Sequence, residues 1–308
     1  MVDLSCKLAG LNLKNPLTVA SGTFGLGLDY APYLNLDGLG ALTSKGVALQ
    51  AWPGNPAPRI CEVTAGMLNS VGLQNPGVEA FCEELLPQLK QLAPDLPLIV
   101  NVCSHDVDQF APVIARLESE AQVSAYELNI SCPNLDCGGM AFGVDPKLSA
   151  AVVKSCRKLT ERPLFAKLTP NVTDITLIAK AVEDAGADAI SLINTVTGMA
   201  IDPDSGKPKL ARAYGGLSGP AIKPIAVYQV WRCHQAVKLP IIGMGGVSSA
   251  GDVIELMRAG ATAVAVGSAT FHDINTISRI LSDLEAWAER RGLTSLSEIV
   301  GQITLSAD

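Results

Sequence analysis

Charged residues make up only 17% of this 308-residue chain and aromatics only 5%, against 48% hydrophobic residues. So apolar a composition excludes a disordered or fibrous chain and points to a well-buried globular protein. Basic residues are the minority charge, 23 Lys plus Arg against 30 Asp plus Glu for a net charge of −7. No cluster of them could track a phosphate backbone, which argues against nucleic acid as a partner. No apolar run approaches the ~18 residues that a membrane span needs, and Met1 to Gly10 carry neither a signal-peptide core nor an amphipathic anchor, so a soluble, cytoplasmic protein with no membrane partner is expected. The eight cysteines (Cys6, Cys61, Cys82, Cys103, Cys132, Cys137, Cys156 and Cys233) include no CxxC pair. Their scatter disfavours a disulfide scaffold and a zinc or iron–sulfur site made by this chain alone, and most read as reduced, buried small hydrophobes. No metal site is expected.

What is present is an alternation. Short β-branched apolar runs at Leu17–Ala20, Ala41–Ser44, Leu98–Val102, Tyr126–Ile130, Leu164–Leu168, Ala189–Ile193, Pro240–Gly243 and Ala263–Val266 read as strands. Helical periods fill the gaps at about Val78–Leu92, Gln109–Glu118, Pro146–Leu159, Asp174–Ala185, Ala221–Val237, Ala250–Ala259 and Asn275–Arg291, with Asp174 and Ser249 as candidate N-caps. Eight strands alternating with helices predict a parallel α/β barrel, which commonly reaches ~250 residues as one domain. An internal echo, Ala185-Gly186-Ala187-Asp188-Ala189-Ile190 against Ala259-Gly260-Ala261-Thr262-Ala263-Val264, supports the alternation: a glycine ends a helix just before a buried strand. The Pro/Gly-rich stretches Trp52–Pro58 and Ile201–Gly219 read as elaborated loops.

Each apolar run ends in polar residues or glycine: Ser21-Gly22, Lys45-Gly46, Asn101, Asn129 with Ser131-Cys132, Lys167, Asn194-Thr195, Gly245-Gly246 and Gly267-Ser268. In an eight-stranded barrel these ends converge on the face that holds the active site. Gly243-Met244-Gly245-Gly246 and Val266-Gly267-Ser268, after the last two strands, put free backbone amides where barrels commonly hold a phosphate. Gly215 to Pro220 could cover the same ligand. Lys45 and Lys167 point ammonium groups into the barrel mouth, and no acidic residue stands at a neighbouring strand end, which favours an anionic ligand as their partner. Cys132, bracketed by Asn129 and Asn134 and followed by a Gly-containing loop, has the setting of a reactive thiol. None of His105, His234 and His272 lies in a comparable motif, so Cys132 reads as an acid/base group, with Cys137 as its nearest competitor.

These residues are ordered as in a known family. Ser44-Lys45-Gly46, Asn69 to Gly77, Asn129 to Asn134, Ile193-Asn194-Thr195 and Gly215 to Pro220 resemble dihydroorotate dehydrogenases, and most closely the catalytic subunits of the NAD-linked, two-subunit class (class 1B). The resemblance runs from Asn15 to about Phe271. It implies an eight-stranded TIM barrel with loop insertions and a short N-terminal β-hairpin, binding one FMN as a single domain over residues 1–308. It implies oxidation of dihydroorotate to orotate in pyrimidine (UMP) biosynthesis. Cys132 matches the base that takes the C5 proton, and Lys167 the lysine that stabilises charge on the reduced flavin. Lys45, Asn69, Ser70, Val71, Gly72, Leu73, Asn129, Asn134, Asn194 and Thr195 match substrate-holding positions, where amide side chains suit a ring with alternating N–H and C=O groups. Ser21, Lys45, Gly46, Asn101, Asn129, Lys167, Ile193, Gly219, Gly245, Gly246, Gly267 and Ser268 match flavin-contacting positions.

The resemblance also implies a partner subunit that carries FAD and a 2Fe–2S cluster, in a heterotetramer built around a catalytic homodimer, since no clustered cysteines or convincing GxGxxG could bind those groups here. The membrane-bound, quinone-using class has Ser in place of Cys132 and an N-terminal hydrophobic segment, and does not fit. The loop Cys137 to Gly143 and the segment Leu217 to Pro224 favour the NAD-linked class over the fumarate-using homodimer. Cys137 departs from the polar residue often found there. Other readings are a dihydropyrimidine dehydrogenase, a flavin subunit that only relays electrons, and a non-redox phosphosugar lyase or isomerase using Lys167 or Lys45 as a Schiff-base amine.

Overall fold

In the computed structural model, which describes residues 2–131 and 142–304, all eight apolar runs become strands of one parallel sheet. The chain starts with an antiparallel hairpin, β1 (Cys6–Leu8) and β2 (Leu11–Leu13), and then enters the sheet at β3 (Leu17–Val19) and β4 (Leu42–Thr43). A second hairpin, β5 (Ile60–Val63) and β6 (Gly66–Asn69), precedes β7 (Leu98–Val102), β8 (Val123–Asn129), β9 (Leu164–Lys167) and β10 (Ala189–Leu192). A further antiparallel pair, β11 (Val196–Met199) and β12 (Tyr214–Ser218), precedes β13 (Ile241–Met244) and β14 (Ala263–Val266). The order β3-β14-β13-β10-β9-β8-β7-β4 is the circular order of a barrel. The seam between β3 and β4 carries no ladder: the Thr18 and Thr43 hydroxyls lie 3.2 Å apart there, and the Gly40 amide bonds the Leu17 carbonyl at 2.9 Å.

Helices α1 (Val78–Ala80), α2 (Leu86–Leu92), α3 (Phe110–Leu117), α4 (Pro146–Arg157), α5 (Ile175–Asp184), α6 (Lys223–Ala236), α7 (Ala250–Ala259) and α8 (Thr276–Arg290) lie between the strands or after the last of them. A π-helical turn, Phe81–Leu85, joins α1 to α2. Asp174 caps α5 through the Thr176 amide, and Ser249 opens α7 with a capping box closed by Asp252. The internal echo is structural: Gly186 and Gly260 both have positive φ (98° and 121°), where an L side chain is strained, and each turns the chain from helix into β10 or β14.

Alternation along each strand divides the core in two. Tyr126 and Leu128 face outward into the large cluster shared with the helices, whereas Ala125, with Ile99, Phe165, Ala189, Ile242, Ala263 and Ala265, forms the barrel interior. Leu8 and Leu13 of the N-terminal hairpin join that interior cluster, so the hairpin plugs it. Further along the same strands the inward positions turn polar: Thr18, Thr43, Asn101, Glu127, Lys167 and Ser191 are all at most 4% exposed. Among the described cysteines, Cys82, Cys103, Cys156 and Cys233 are buried, and burial pushes the Cys156 thiol up to about 11 and that of Cys233 up to about 12.

The loop reading of Ile201–Gly219 needs correction. Residues Tyr214–Ser218 form β12, which pairs with β11 on one side and β6 on the other in a four-stranded antiparallel sheet, β11-β12-β6-β5. The β6–β12 pairing joins residues 147 positions apart, Asn69 and Gly216, a long-range tie that no local pattern announces. No helix of the described residues is long and apolar enough to cross a membrane.

Candidate active site

The C-terminal ends of the barrel strands surround a cavity of about 740 Å³. Among the residues singled out from sequence, Ser21, Lys45, Gly46, Asn69, Val71, Gly72, Leu73, Asn129, Lys167, Ile193, Asn194, Thr195, Gly219, Gly245, Gly246, Gly267 and Ser268 line it. Asn101 and Ser70 do not. Asn101 is fully buried beneath the floor, and Ser70 faces Asn55, whose Nδ2 donates to its Oγ at 3.1 Å. Cys132, Asn134 and Cys137 lie outside the described residues.

One wall is the loop between β6 and α1. Asn75 holds its shape: its Oδ1 accepts from the amides of Ala48 (3.2 Å) and Gly77 (2.9 Å), and its Nδ2 donates to the Leu73 carbonyl (2.9 Å). Lys45 lines the same cavity. Burial, and then the nearby Arg59 guanidinium, pull its pKa below the usual lysine range. Among the described residues no carboxylate lies within salt-bridge distance of Lys45, so an anionic ligand is the partner the site can accept.

Lys167 is different. The residue is 4% exposed, and its ammonium donates to Ser21 Oγ at 3.0 Å and lies 3.8 Å from Oε1 of Glu127, which is 1% exposed. A nearby carboxylate therefore exists, contrary to the sequence reading. Glu127 was overlooked because it stands two residues before the strand end, in the middle of an apolar run. The signal was there, since Glu127 and Asn129 share the inward face of a strand with period two.

At the opposite end, the turn after β13 is built around one carboxylate. Asp252 accepts from Lys223 Nζ at 2.7 Å through Oδ1, and through Oδ2 from the amides and hydroxyls of Ser248 and Ser249 at 2.9–3.1 Å. Burial opposes its ionisation, but Lys223 and the serine donors outweigh that and hold the carboxyl below its usual range. Just upstream, Gly246 has φ +74° and closes a pocket with Gly219: a Cβ there would lie 2.9 Å from the Gly219 carbonyl oxygen and 2.8 Å from Lys223 Cβ. Gly245–Ser248 and Gly267–Ser268 thus line the cavity, and the glycines among them leave room for a ligand to approach the backbone, a shape suited to a phosphate.

Asp252→Asn is expected to destabilise the fold by about 1–2 kcal/mol at pH 7, through lost charge-assisted hydrogen bonds. A depressed native pKa stabilises fully above the unfolded value of about 3.9, and that contribution is lost as pH falls through the lower native value. Urea unfolding at pH 7 and at pH 3 measures the two costs, and an equal cost at both rejects the assignment.

Sequence reasoning missed the far rim, where Ile60, Glu62, Val63, Ala65, Gly66 and Met67 of the β5–β6 hairpin, with Phe271, His272, Asp273 and Arg279, complete the lining. Among the described residues, no group of three or more His, Cys, Asp or Glu side chains is placed to hold a metal ion.

The model of the dihydroorotate dehydrogenase family matches residues 3–287. The chain belongs to the dihydroorotate dehydrogenase family. It is 48% identical over 303 residues to the dihydroorotate dehydrogenase B (NAD(+)) catalytic subunit of Geobacter sp. (strain M21), covering 98% of this chain and 99% of that protein. Catalytic subunits of the same name from Pelobacter propionicus (49% over 301 residues, 98% of each chain) and Desulforudis audaxviator (50% over 300 residues, 97% of each) are similarly close. Within this family, the cavity at the strand ends is the natural place to look for the chemistry.

Proposed function

We propose that this chain is the catalytic subunit of an NAD-linked dihydroorotate dehydrogenase, a cytoplasmic, single-domain barrel over residues 1–308 that oxidises dihydroorotate to orotate in pyrimidine biosynthesis. The carrying observation is convergence: two lysines, a set of asparagines and a glycine-built turn, drawn from Ser21 to Ser268, meet at one cavity. The residues present fit FMN. The backbone of Gly245–Ser248 and Gly267–Ser268 suits its phosphate, and Lys167, an ammonium almost wholly out of water, suits the end of the flavin where charge builds up. When bound, FMN supplies the two-electron acceptor for the hydride leaving C6 of dihydroorotate.

The chain's own residues do the rest. Lys45 offers its ammonium to the substrate carboxylate, and Asn69, Asn129 and Asn194 offer both hydrogen-bond functions to the ring. Lys167 holds positive charge in a water-poor site, where it is worth more than in bulk solvent. Cys132, placed by sequence after Ser131 and before Asn134, takes the C5 proton, a task for which a thiol has a suitable pKa. Electrons then leave through a partner subunit bearing FAD and a 2Fe–2S cluster, in a heterotetramer around a catalytic homodimer; the names of the relatives, each a catalytic subunit, support a partner.

The test is an anaerobic visible spectrum of the purified chain before and after dihydroorotate, then after NAD. Bleaching by dihydroorotate with no recovery on adding NAD supports the reading; a chain that binds no added FMN returns the non-redox barrel to the lead. Cys132→Ser is expected to slow turnover and shift the pH optimum upward, because a hydroxyl is a far weaker acid than a thiol. An unaltered pH profile rejects Cys132 as the base.

A further inference from the structure

Beneath the cavity floor, Glu127 lies 3.8 Å from the Lys167 ammonium through Oε1 and touches neither substrate nor flavin in the reading above. Its Oε1 accepts from Asn101 Nδ2 and its Oε2 from Ser191 Oγ, both at 2.6 Å. An ionised carboxylate only accepts, whereas a carboxamide donates at one end and accepts at the other. Asn101, having turned its amino group to Glu127, must present Oδ1 on its other side, and that oxygen accepts from Asn129 Nδ2 at 3.3 Å. Asn129 is left with Oδ1 toward Ser131, whose hydroxyl donates to it at 3.1 Å. Asn194 is held from the opposite direction: its Oδ1 accepts from the Thr195 amide (2.7 Å) and its Nδ2 donates to Ser131 Oγ (2.8 Å). Ser131 is the joint, since a hydroxyl serves either sense. The orientation of Asn129 is therefore set from below by the Glu127 carboxylate through Asn101, and the Ser131 hydroxyl, held by Asn194, meets it from the other side in the same sense.

We propose that Glu127 is a positioning residue that sets the donor–acceptor sense of the Asn129 amide where it faces the cavity. This rests on the reading of the cavity as a site for a pyrimidine carboxylate. A ring of alternating N–H and C=O groups is bound only if the amides facing it present a fixed pattern, because one flipped amide sets donor against donor or acceptor against acceptor. Glutamine at 127 has the same shape but donates as readily as it accepts, so it lets Asn101 and Asn129 adopt both senses.

The test measures orotate binding to the FMN-loaded chain. Glu127→Gln is expected to weaken it about tenfold, the scale of one misdirected buried hydrogen bond. The double variant Glu127→Gln/Asn101→Asp moves the acceptor-only group one step along the relay and is expected to recover affinity to within about threefold of the native chain. Ser191→Ala removes a donor to Glu127 on the side away from the relay and is expected to change affinity by less than about twofold. The proposal is overturned if Glu127→Gln binds like the native chain, if the double variant is no better than the single one, or if Ser191→Ala is as weak as Glu127→Gln. A neutron structure of the ligand-free native chain locates the amide hydrogens directly and needs neither orotate nor a variant that folds. One sense at Asn129, with Nδ2 toward Asn101, supports the relay, and a flipped or mixed amide overturns it. A native chain that shows that single sense but binds no orotate defeats the pyrimidine reading and leaves the relay standing.

Discussion

Gly246→Val is expected to leave the chain unable to retain FMN, with affinity reduced at least about a hundredfold, or roughly 3 kcal/mol. Two costs combine. The position has φ +74°, a region that costs an L-residue about 1–2 kcal/mol and is a genuine outlier for a β-branched one. Even the first side-chain atom would press on the Gly219 carbonyl oxygen and on Lys223, whose ammonium holds Asp252 and through it the Ser248–Ser249 turn. The damage thus falls on the backbone proposed to take the phosphate. Gly251→Ala is the contrast: in α7 nothing lies closer to a new Cβ than Ser249 Oγ at 3.6 Å, and alanine is the better helix former by about 0.5–1 kcal/mol. Fluorescence titration with FMN and thermal unfolding of both variants decide the matter, and equal FMN affinities would reject the phosphate assignment.

Lys167→Met is expected to cost both chemistry and stability, and the two can be separated. Losing a buried charge aimed at the reacting centre lowers turnover by about 10²–10³-fold. It also strands Glu127, 1% exposed, without the ammonium 3.8 Å away, and orphaning one member of a buried pair costs about 3–5 kcal/mol. In the double variant Lys167→Met/Glu127→Gln, stability is expected to recover much of the loss while turnover stays low. Denaturant unfolding and the anaerobic rate of dihydroorotate oxidation measure the two; joint recovery would mean that Lys167 serves the fold alone.

Most of the barrel could be read from sequence because its signals are local. Apolar runs of parallel-strand length, helical periods between them and caps such as Asp174 and Ser249 each depend on a few neighbouring residues. Strand ends moved by a residue or so, except β8, which begins at Val123 and not at Tyr126. The cavity was legible for a related reason: a barrel gathers its strand ends on one face, so a polar residue after each apolar run acquires a location from topology alone. Three features escaped. The β11-β12-β6-β5 sheet depends on pairing across more than a hundred residues. Asn101 looked like a wall residue, but its strand-interior position buries it under the floor, where it bonds Glu127. Glu127 itself was hidden by its apolar neighbours, which face the other way.

The barrel is a ring closed by hydrogen-bonded ladders everywhere except between β3 and β4. Across that gap, two threonine hydroxyls and the Gly40–Leu17 backbone bond join the strands, and just beyond their ends the Lys45 amide bonds the Gly25 carbonyl at 3.0 Å. A ring with one weak join has a preferred line of yielding, since local opening starts where the fewest bonds must break together. Ser21 follows one side of that join and Lys45 the other, so this stretch of the rim is held by side-chain and loop hydrogen bonds where the rest of the rim rests on seven ladders.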